Sequence, residues 1–458
     1  MRRLTPTTGL KIAAAGAAAA MVLTACSSGD GGTDTGSGDS TAGGGGTATT
    51  IEHWLWDDTQ RPMYEACSEL FTEENPDISV NITQTAWEQY WQNLTTQLAS
   101  GTGPDSFTMT VQYVREYASL GQLADLDALG ATDGTDFDLY VPGTAENFLI
   151  DDTRVGLPLD WDIVGMVYDV DAATAAGFTA EQVNELTFDG SGNDTFTQFV
   201  KAMSLDANGN NALSPDYDKS NVVRYGFLPE WADGFTGQNG WGNLAFALGW
   251  EFFKEDGSLN FDAPELIKTL EWYQSMIDLG VMQAFDETST LGQHPTMEAG
   301  FAAATLAGSW NAKNYLADTQ EINFAWAKVP QGPAGRFAAT NSLAGVIWEG
   351  SKQKDAAAKW VNFLGSPECQ NVTGEFGIVF PAVQTGTDAS VKARAASGAD
   401  VPEFAEMAAD GETYQIPSFV RNAEIRTVVQ DAIWSVASGG DIEAAMSAAN
   451  AEAQKLVD

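Results

Sequence analysis

Between residues 51 and 109 the hydrophobic period switches back and forth between two residues and about 3.6 residues, and this alternation restricts the fold more than any other feature. The segment Ile51-Glu52-His53-Trp54-Leu55-Trp56 reads as a strand. Asp57 and Asp58 stand where a helix N-cap belongs, and Pro62 is tolerated in a first turn. Met63, Ala66, Cys67, Leu70 and Phe71 then share one helical face, and Asn75-Pro76 ends that helix. Ile78, Val80 and Ile82 alternate as in a strand. Tyr90, Trp91, Leu94 and Leu98 form a second helical face with Gly101 just past its end. After Gly103-Pro104-Asp105 comes a short apolar segment, 106–109. Strand, helix, strand, helix, strand is the pattern of an α/β fold with parallel crossovers. Later segments repeat it: a buried strand at 163–168, a helix through Leu266, Leu270, Tyr273 and Ile277 stopped by Gly280, a helix at 355–364, and a long stripe through Ile425, Val429, Ile433 and Val436.

The patterned body, residues 51–458, is about 400 residues long, which suggests two lobes rather than one core. With 63 acidic against 22 basic residues the net charge is −41, which excludes general nucleic-acid binding because that needs a basic face. The three cysteines are Cys26, Cys67 and Cys369, and the two histidines are His53 and His294, with no metal-binding spacing among them. Cys67 lies on an apolar stripe and reads as a buried free thiol; a Cys67–Cys369 disulfide is the alternative in an oxidising compartment.

Ahead of the body, Arg2, Arg3 and Lys11 precede an apolar run at 12–23, too short to span a bilayer comfortably and flanked like a secretory signal. It ends in Leu23-Thr24-Ala25-Cys26, which resembles a bacterial lipobox. Residues 1–25 are therefore expected to be a lipoprotein signal peptide and Cys26 the lipidated residue, anchoring the chain to the outer face of the cell membrane. Residues 26–50, with little besides Gly, Ser, Thr and Asp after the cysteine, have nothing to bury and read as a flexible tether.

The order of several short motifs resembles the family 1 extracellular solute-binding proteins, the maltose-binding-protein-like receptors of sugar importers. The motifs are Trp54-Leu55-Trp56-Asp57, Phe71-Thr72-Glu73-Glu74-Asn75-Pro76, Ala99-Ser100-Gly101-Thr102-Gly103-Pro104-Asp105, Gly121-Gln122-Leu123-Ala124-Asp125-Leu126, Gly156-Leu157-Pro158-Leu159 and Gly308-Ser309-Trp310. The resemblance implies a two-lobed periplasmic-binding-protein-like fold. Each lobe would hold a mixed, mostly parallel sheet flanked by helices, and several crossing segments would form a hinge. It assigns 51–159 and 341–385 to an N-terminal lobe, 160–340 and 412–458 to a C-terminal lobe, and 386–411 to a crossing segment. It further implies a carbohydrate ligand in the cleft, permease subunits of an ABC importer as partners, and a monomer without catalysis.

A sugar presents hydroxyls at its rim and apolar C–H faces above and below. It is held by aromatic plates together with planar side chains whose paired atoms span vicinal hydroxyls. Candidates of those types are Trp56 and Asp57 at the end of the first strand, and Met109, Gln112 and Tyr113 at the end of the third. Others are Asp160-Trp161-Asp162 and Asn341 at the expected hinge, and Trp231, Asn239 and Trp241 in a loop rich in Gly and aromatics. Trp310 after its Gly-Ser turn, with Phe419 and Arg421 before the last long stripe, complete the set. Each has a structural alternative: core packing for the rings, and ion pairing in an acidic protein for Arg421. Asp206, Asn208 and Asn210 resemble the opening of a calcium loop, but Asn211 and Tyr217 stand where Gly and Glu belong. An Asx-rich turn is the preferred reading there, and no cofactor is expected. Two competing functions remain open on the sequence: the same fold binding a peptide, polyamine or osmolyte, and a surface glycoside hydrolase using Asp160 and Asp162.

Overall fold

A computed structural model describes residues 49–285, 292–316, 321–398 and 401–457. The signal segment, Cys26 and the tether lie outside the described residues. Strands β1 (Thr49–Leu55), β2 (Ile78–Gln84) and β3 (Ser106–Thr110) pair in parallel around β1. The crossovers are helices α1 (Arg61–Glu74), with a proline in its first turn, and α2 (Trp87–Ser100). The second helix stops at Gly101, whose φ of 78° lets its N–H turn back to the last carbonyls. Helix α3 (Val111–Ser119) leaves β3 without a loop.

Six further strands complete a nine-stranded sheet: β4 (Leu157–Asp169), β5 (Ala304–Gly308), β6 (Phe324–Ala327), β7 (Ala338–Ile347), β8 (Phe380–Pro381) and β9 (Thr413–Gln415). The main path runs β6-β4-β7-β3-β1-β2. The sheet is mixed. Parallel pairing joins β1 to β2 and β3, and β7 to β9, and recurs in isolated bridges such as Leu228 with Thr305. The long strands β4 and β7 instead pair antiparallel with each other and with most neighbours, because both traverse the whole molecule in opposite directions.

These two strands serve separate hydrophobic cores. Leu157 and Leu159 of β4 pack with Ile51, Phe71 and Trp360, while Ile163, Val164, Met166 and Val167 pack with Phe199, Trp250 and Tyr273. In β7, Ala338 and Ala339 belong to the second core, and Ala344, Val346 and Ile347 to the first-lobe clusters. Burial relaxes between the cores, where Trp161 and Asp162 are the two half-exposed residues of β4. A strand buried on both faces has no polar alternation, so those two positions mark where the strand passes through a cleft. The helices that bound the cleft or brace it are α4 (Trp241–Leu248), α5 (Lys354–Leu364), α6 (Pro367–Glu375), α7 (Gln384–Ala396) and α8 (Asn422–Ala437).

Cys67 of α1 and Cys369 of α6 form a disulfide, with Cα atoms 5.3 Å apart and a sequence separation of 302. This corrects the expectation of a free thiol at Cys67. The burial expected of it is real, but the chain leaves the first core, builds the second and returns, which brings α6 against α1.

Candidate functional site

A cavity of about 290 Å³ lies between the two cores. Asp160, Trp161 and Asp162 of β4 meet Asn341 and Leu343 of β7 in it. The carboxyl ends of the parallel strands β1 and β3 deliver Trp56, Asp57, Thr110 and Gln112, as expected for an open α/β sheet. The second core contributes Asp233, Gln238 and Asn239 from one loop and Ser309 and Trp310 from the turn after β5. Gln60, Trp87, Ala232, Val379 and Arg426 complete the lining.

The polar side chains form an ordered network. Asp162 Oδ1 accepts the Asn341 N–H at 3.0 Å and Gln238 Nε2 at 3.3 Å, and Gln112 Nε2 donates to Gln238 Oε1 at 3.2 Å. A hydrogen-bonded path therefore runs from α3 across the cleft to β4. Asn341 Nδ2 donates to Thr110 Oγ1 at 2.9 Å, and the Leu343 N–H donates to Asp160 Oδ1 at 3.0 Å. Asp57 is occupied by its own turn, accepting from Thr59 N at 2.8 Å, Thr59 Oγ1 at 2.7 Å and Gln60 Nε2 at 3.2 Å. Gln60, not Asp57 or Asp58, is the N-cap of α1. Both Asp233 oxygens accept from Asn239.

Indole rings are held at the cavity wall from behind. Trp56 packs edge-on against Trp87 and Tyr90, each with ring centres 5.1 Å apart. Trp161 stacks on Phe380 at 4.8 Å and its Nε1 donates to Thr387 Oγ1 at 3.1 Å. The ring of Trp310 folds over Gly308, where any Cβ would overlap it. The buried Arg394 guanidinium clamps the same turn by donating twice to the Ser309 carbonyl at 3.2 Å.

Burial without a cation nearby disfavours charge on the β4 carboxyls. Asp160 is pushed up to about 7 by burial, reinforced by the charge of Asp57 and opposed by the Leu343 N–H. Asp162 is raised well above the carboxylate range by burial and then by Asp160. Asp233 is raised by burial and by Glu230.

Of the residues singled out from sequence, Trp56, Asp57, Gln112, Asp160, Trp161, Asp162, Asn239, Trp310 and Asn341 line the cavity. Six do not. Met109 is fully buried under α2 and α3 with the first-lobe aromatics. Tyr113 is turned away, stacked on Trp91 with ring centres 4.2 Å apart. Trp231 packs edge-on against Tyr273, and its carbonyl accepts from Gln430 and from Trp434 Nε1. Trp241 opens α4, a helix apolar almost all round and buried on nearly every face, so its ring packs on Trp250. Phe419 meets Phe235 edge-on, and Arg421 pairs with Glu424 at the surface. Sequence reading passed over Gln60, Trp87, Thr110, Asp233 and Arg426. Thr110 adjoins Met109 and Asp233 lies two positions from Trp231, and that proximity was the signal available for them. In the Asp206 turn, Oδ1 accepts the N–H groups of Asn208 and Asn210, and Oδ2 accepts Asn210 Nδ2 and the Asp218 N–H. These four donors make the carboxylate the hub of an Asx turn. Among the described residues no group of His, Cys, Asp or Glu is arranged to hold a metal ion.

The sequence profile of the bacterial extracellular solute-binding proteins matches residues 66–399. A lactose-binding protein of Rhizobium radiobacter is 25% identical over 323 residues, covering 68% of this chain and 68% of that protein. The crystal structure of M. tuberculosis UspC is 25% identical and superposes with a TM-score of 0.69 over 89% of this chain and 100% of its own. The Listeria monocytogenes substrate-binding protein Lmo0181, solved with cycloalternan, gives a TM-score of 0.76 at 18% identity, over 89% of this chain and 98% of its own, a likeness of fold. The chain belongs to the bacterial extracellular solute-binding proteins.

Proposed function

We propose that this chain is a non-catalytic receptor, anchored through a lipid on Cys26, that binds a carbohydrate between its lobes and delivers it to the permease of an ABC importer. The observation that carries this reading is the composition of the cavity. Four indoles, from Trp56, Trp87, Trp161 and Trp310, share one space with the amides of Gln112, Gln238, Asn239 and Asn341 and the carboxyls of Asp160 and Asp162. Flat apolar plates beside planar polar groups suit a ring that is apolar on its faces and hydroxylated at its rim. The lactose-binding relative and the cycloalternan complex support the same ligand class.

A thermal-shift screen of the chain against mono- and oligosaccharides tests this, because a bound ligand raises stability by about 2.7 kcal/mol at a hundred times its Kd. At least one sugar is expected to raise the melting temperature and to change the intrinsic tryptophan fluorescence. A silent sugar panel alongside a response to a polyamine, peptide or osmolyte would replace the reading by the non-sugar one. Product formation from an oligosaccharide, lost in Asp162→Asn, would replace it by hydrolysis. For a sugar that binds, Trp310→Ala is expected to weaken affinity by roughly thirtyfold or more, as for a central aromatic anchor. The unliganded melting temperature should stay close to that of the parent, since Trp310 is half-exposed. Unchanged affinity removes Trp310 from the site.

A further inference from the structure

We propose that the cleft selects a saccharide carrying a protonated amino group, which sits against the free oxygens of Asp160 and Asp162 beside the indole wall. The inference rests on the carbohydrate reading above and concerns the charge of its ligand.

Four carboxyl groups line the cavity, from Asp57, Asp160, Asp162 and Asp233. Among the described lining residues Arg426 is the one cation, and it is committed elsewhere. Its Nη1 donates to the Tyr113 hydroxyl at 3.0 Å, and its Nη2 donates to the Ala232 carbonyl at 3.0 Å and lies 3.7 Å from Glu88. Asp57 is filled by Thr59 and Gln60, and Asp233 by Asn239. Asp160 and Asp162 differ from those two. Each uses Oδ1 for a backbone N–H, of Leu343 and Asn341 respectively, and among the described residues no donor reaches either Oδ2. They are two residues apart on β4, so they share one face of the strand.

Two neighbouring carboxyl groups in a buried cavity must be neutral, through protons or through a bound cation, and a neutral sugar supplies hydroxyl donors but no charge. An ammonium supplies both, through charge-assisted hydrogen bonds to carboxylates and attraction to indole faces. A negatively charged sugar would add repulsion to a site that already lacks a free cation. Burial raises both carboxyl groups, so protons keep them neutral without a ligand, and a bound ammonium takes the place of such a proton.

The test compares matched sets of gluco-, galacto- and manno-configured mono- and disaccharides, each as the free amine, the N-acetyl amide and the hydroxyl parent. Titration calorimetry on the chain at pH 7 and moderate salt gives the affinities. In at least one set the free amine is expected to bind roughly tenfold or more tightly than both counterparts. That preference should shrink in Asp160→Asn and Asp162→Asn, whose folding is verified by melting without ligand. If hydroxyl or N-acetyl sugars bind as well as the amines, or if they bind and no amine does, the charge assignment is overturned and the carbohydrate reading survives. If no saccharide in any form binds, both are overturned. A preference unaltered in both Asn variants overturns the placement of the amine at these two carboxyls.

Discussion

Replacing Cys67 and Cys369 together by serine is expected to lower the unfolding free energy by on the order of 5 kcal/mol, and a reducing agent should do the same to the parent. The size comes from the loop that the bond closes: the two cysteines have a sequence separation of 302, and the entropy removed from the unfolded chain grows with the logarithm of that length. The bond also sews together the two sequence segments that build the first core. Helix α1 arrives with β1 and β2, whereas α6 arrives only after the chain has passed through the second core, to which it later returns. Met63, Tyr64 and Gln370 surround it beside Asp160 and Val379, two residues that also line the cavity. The urea midpoint with and without reductant, and for the double variant, gives the comparison. A midpoint that moves by less than about a fifth of that expectation means that α1 and α6 remain equally associated in the unfolded chain, or that the thiols are not paired. Serine at both positions is preferable to one, which would leave a buried thiol whose effect differs from that of the missing bond. The bond suits an extracytoplasmic family, since disulfides persist outside the reducing cytosol.

What the sequence disclosed depended on distance along the chain. The opening strand–helix alternation was legible because each element carries its own period, its own stop signal and a neighbour one crossover away. Asp160, Trp161 and Asp162 were legible because the family resemblance implies a hinge crossing there, just ahead of the strand read at 163–168, and their side chains are of the polar and aromatic types a sugar needs. Trp310 was legible because it stands directly after a Gly-Ser turn, a position that seldom belongs to a packed helix or strand face. The failures share one cause: a ring in a mostly apolar segment gives no sign of which way it faces. Trp241 and Met109 sit in elements with nearly every side chain buried, so no periodicity separates a core face from a cleft face. Trp434 shows the converse, an indole beside the apolar stripe of α8 that is nevertheless 39% exposed. Arg426, also on α8, enters the cleft only because that helix folds back against α3, across more than 300 residues of sequence. Whether Cys67 pairs with Cys369 or stays a free thiol was left open by the same separation.

Asp160→Asn is expected to stabilise the unliganded protein at pH 8 while weakening its ligand binding. An aspartate with an ordinary value of 3.8 in the unfolded chain stands at about 7 in the folded one. The raised folded value means that the native state holds a proton which the unfolded state releases. The resulting stability is complete below pH 4 and is lost as pH rises through about 7. That displacement corresponds to about 4 kcal/mol, and water reaching the carboxyl through the cavity brings the expected gain of the variant to on the order of 2–3 kcal/mol. The amide keeps the native geometry available, because its Oδ1 can still accept the Leu343 N–H. A neutral residue at 160 also removes a repulsive neighbour of Asp162, so the gain includes relief at a second carboxyl. Denaturant melts of parent and variant should therefore coincide near pH 4 and diverge toward pH 8, with the variant above. Parallel curves across that range would show that Asp160 is already hydrated or compensated in the unliganded cleft. The opposing effects on stability and binding have one origin: a carboxyl placed against its own solvation is unfavourable until a ligand donor reaches its unoccupied oxygen.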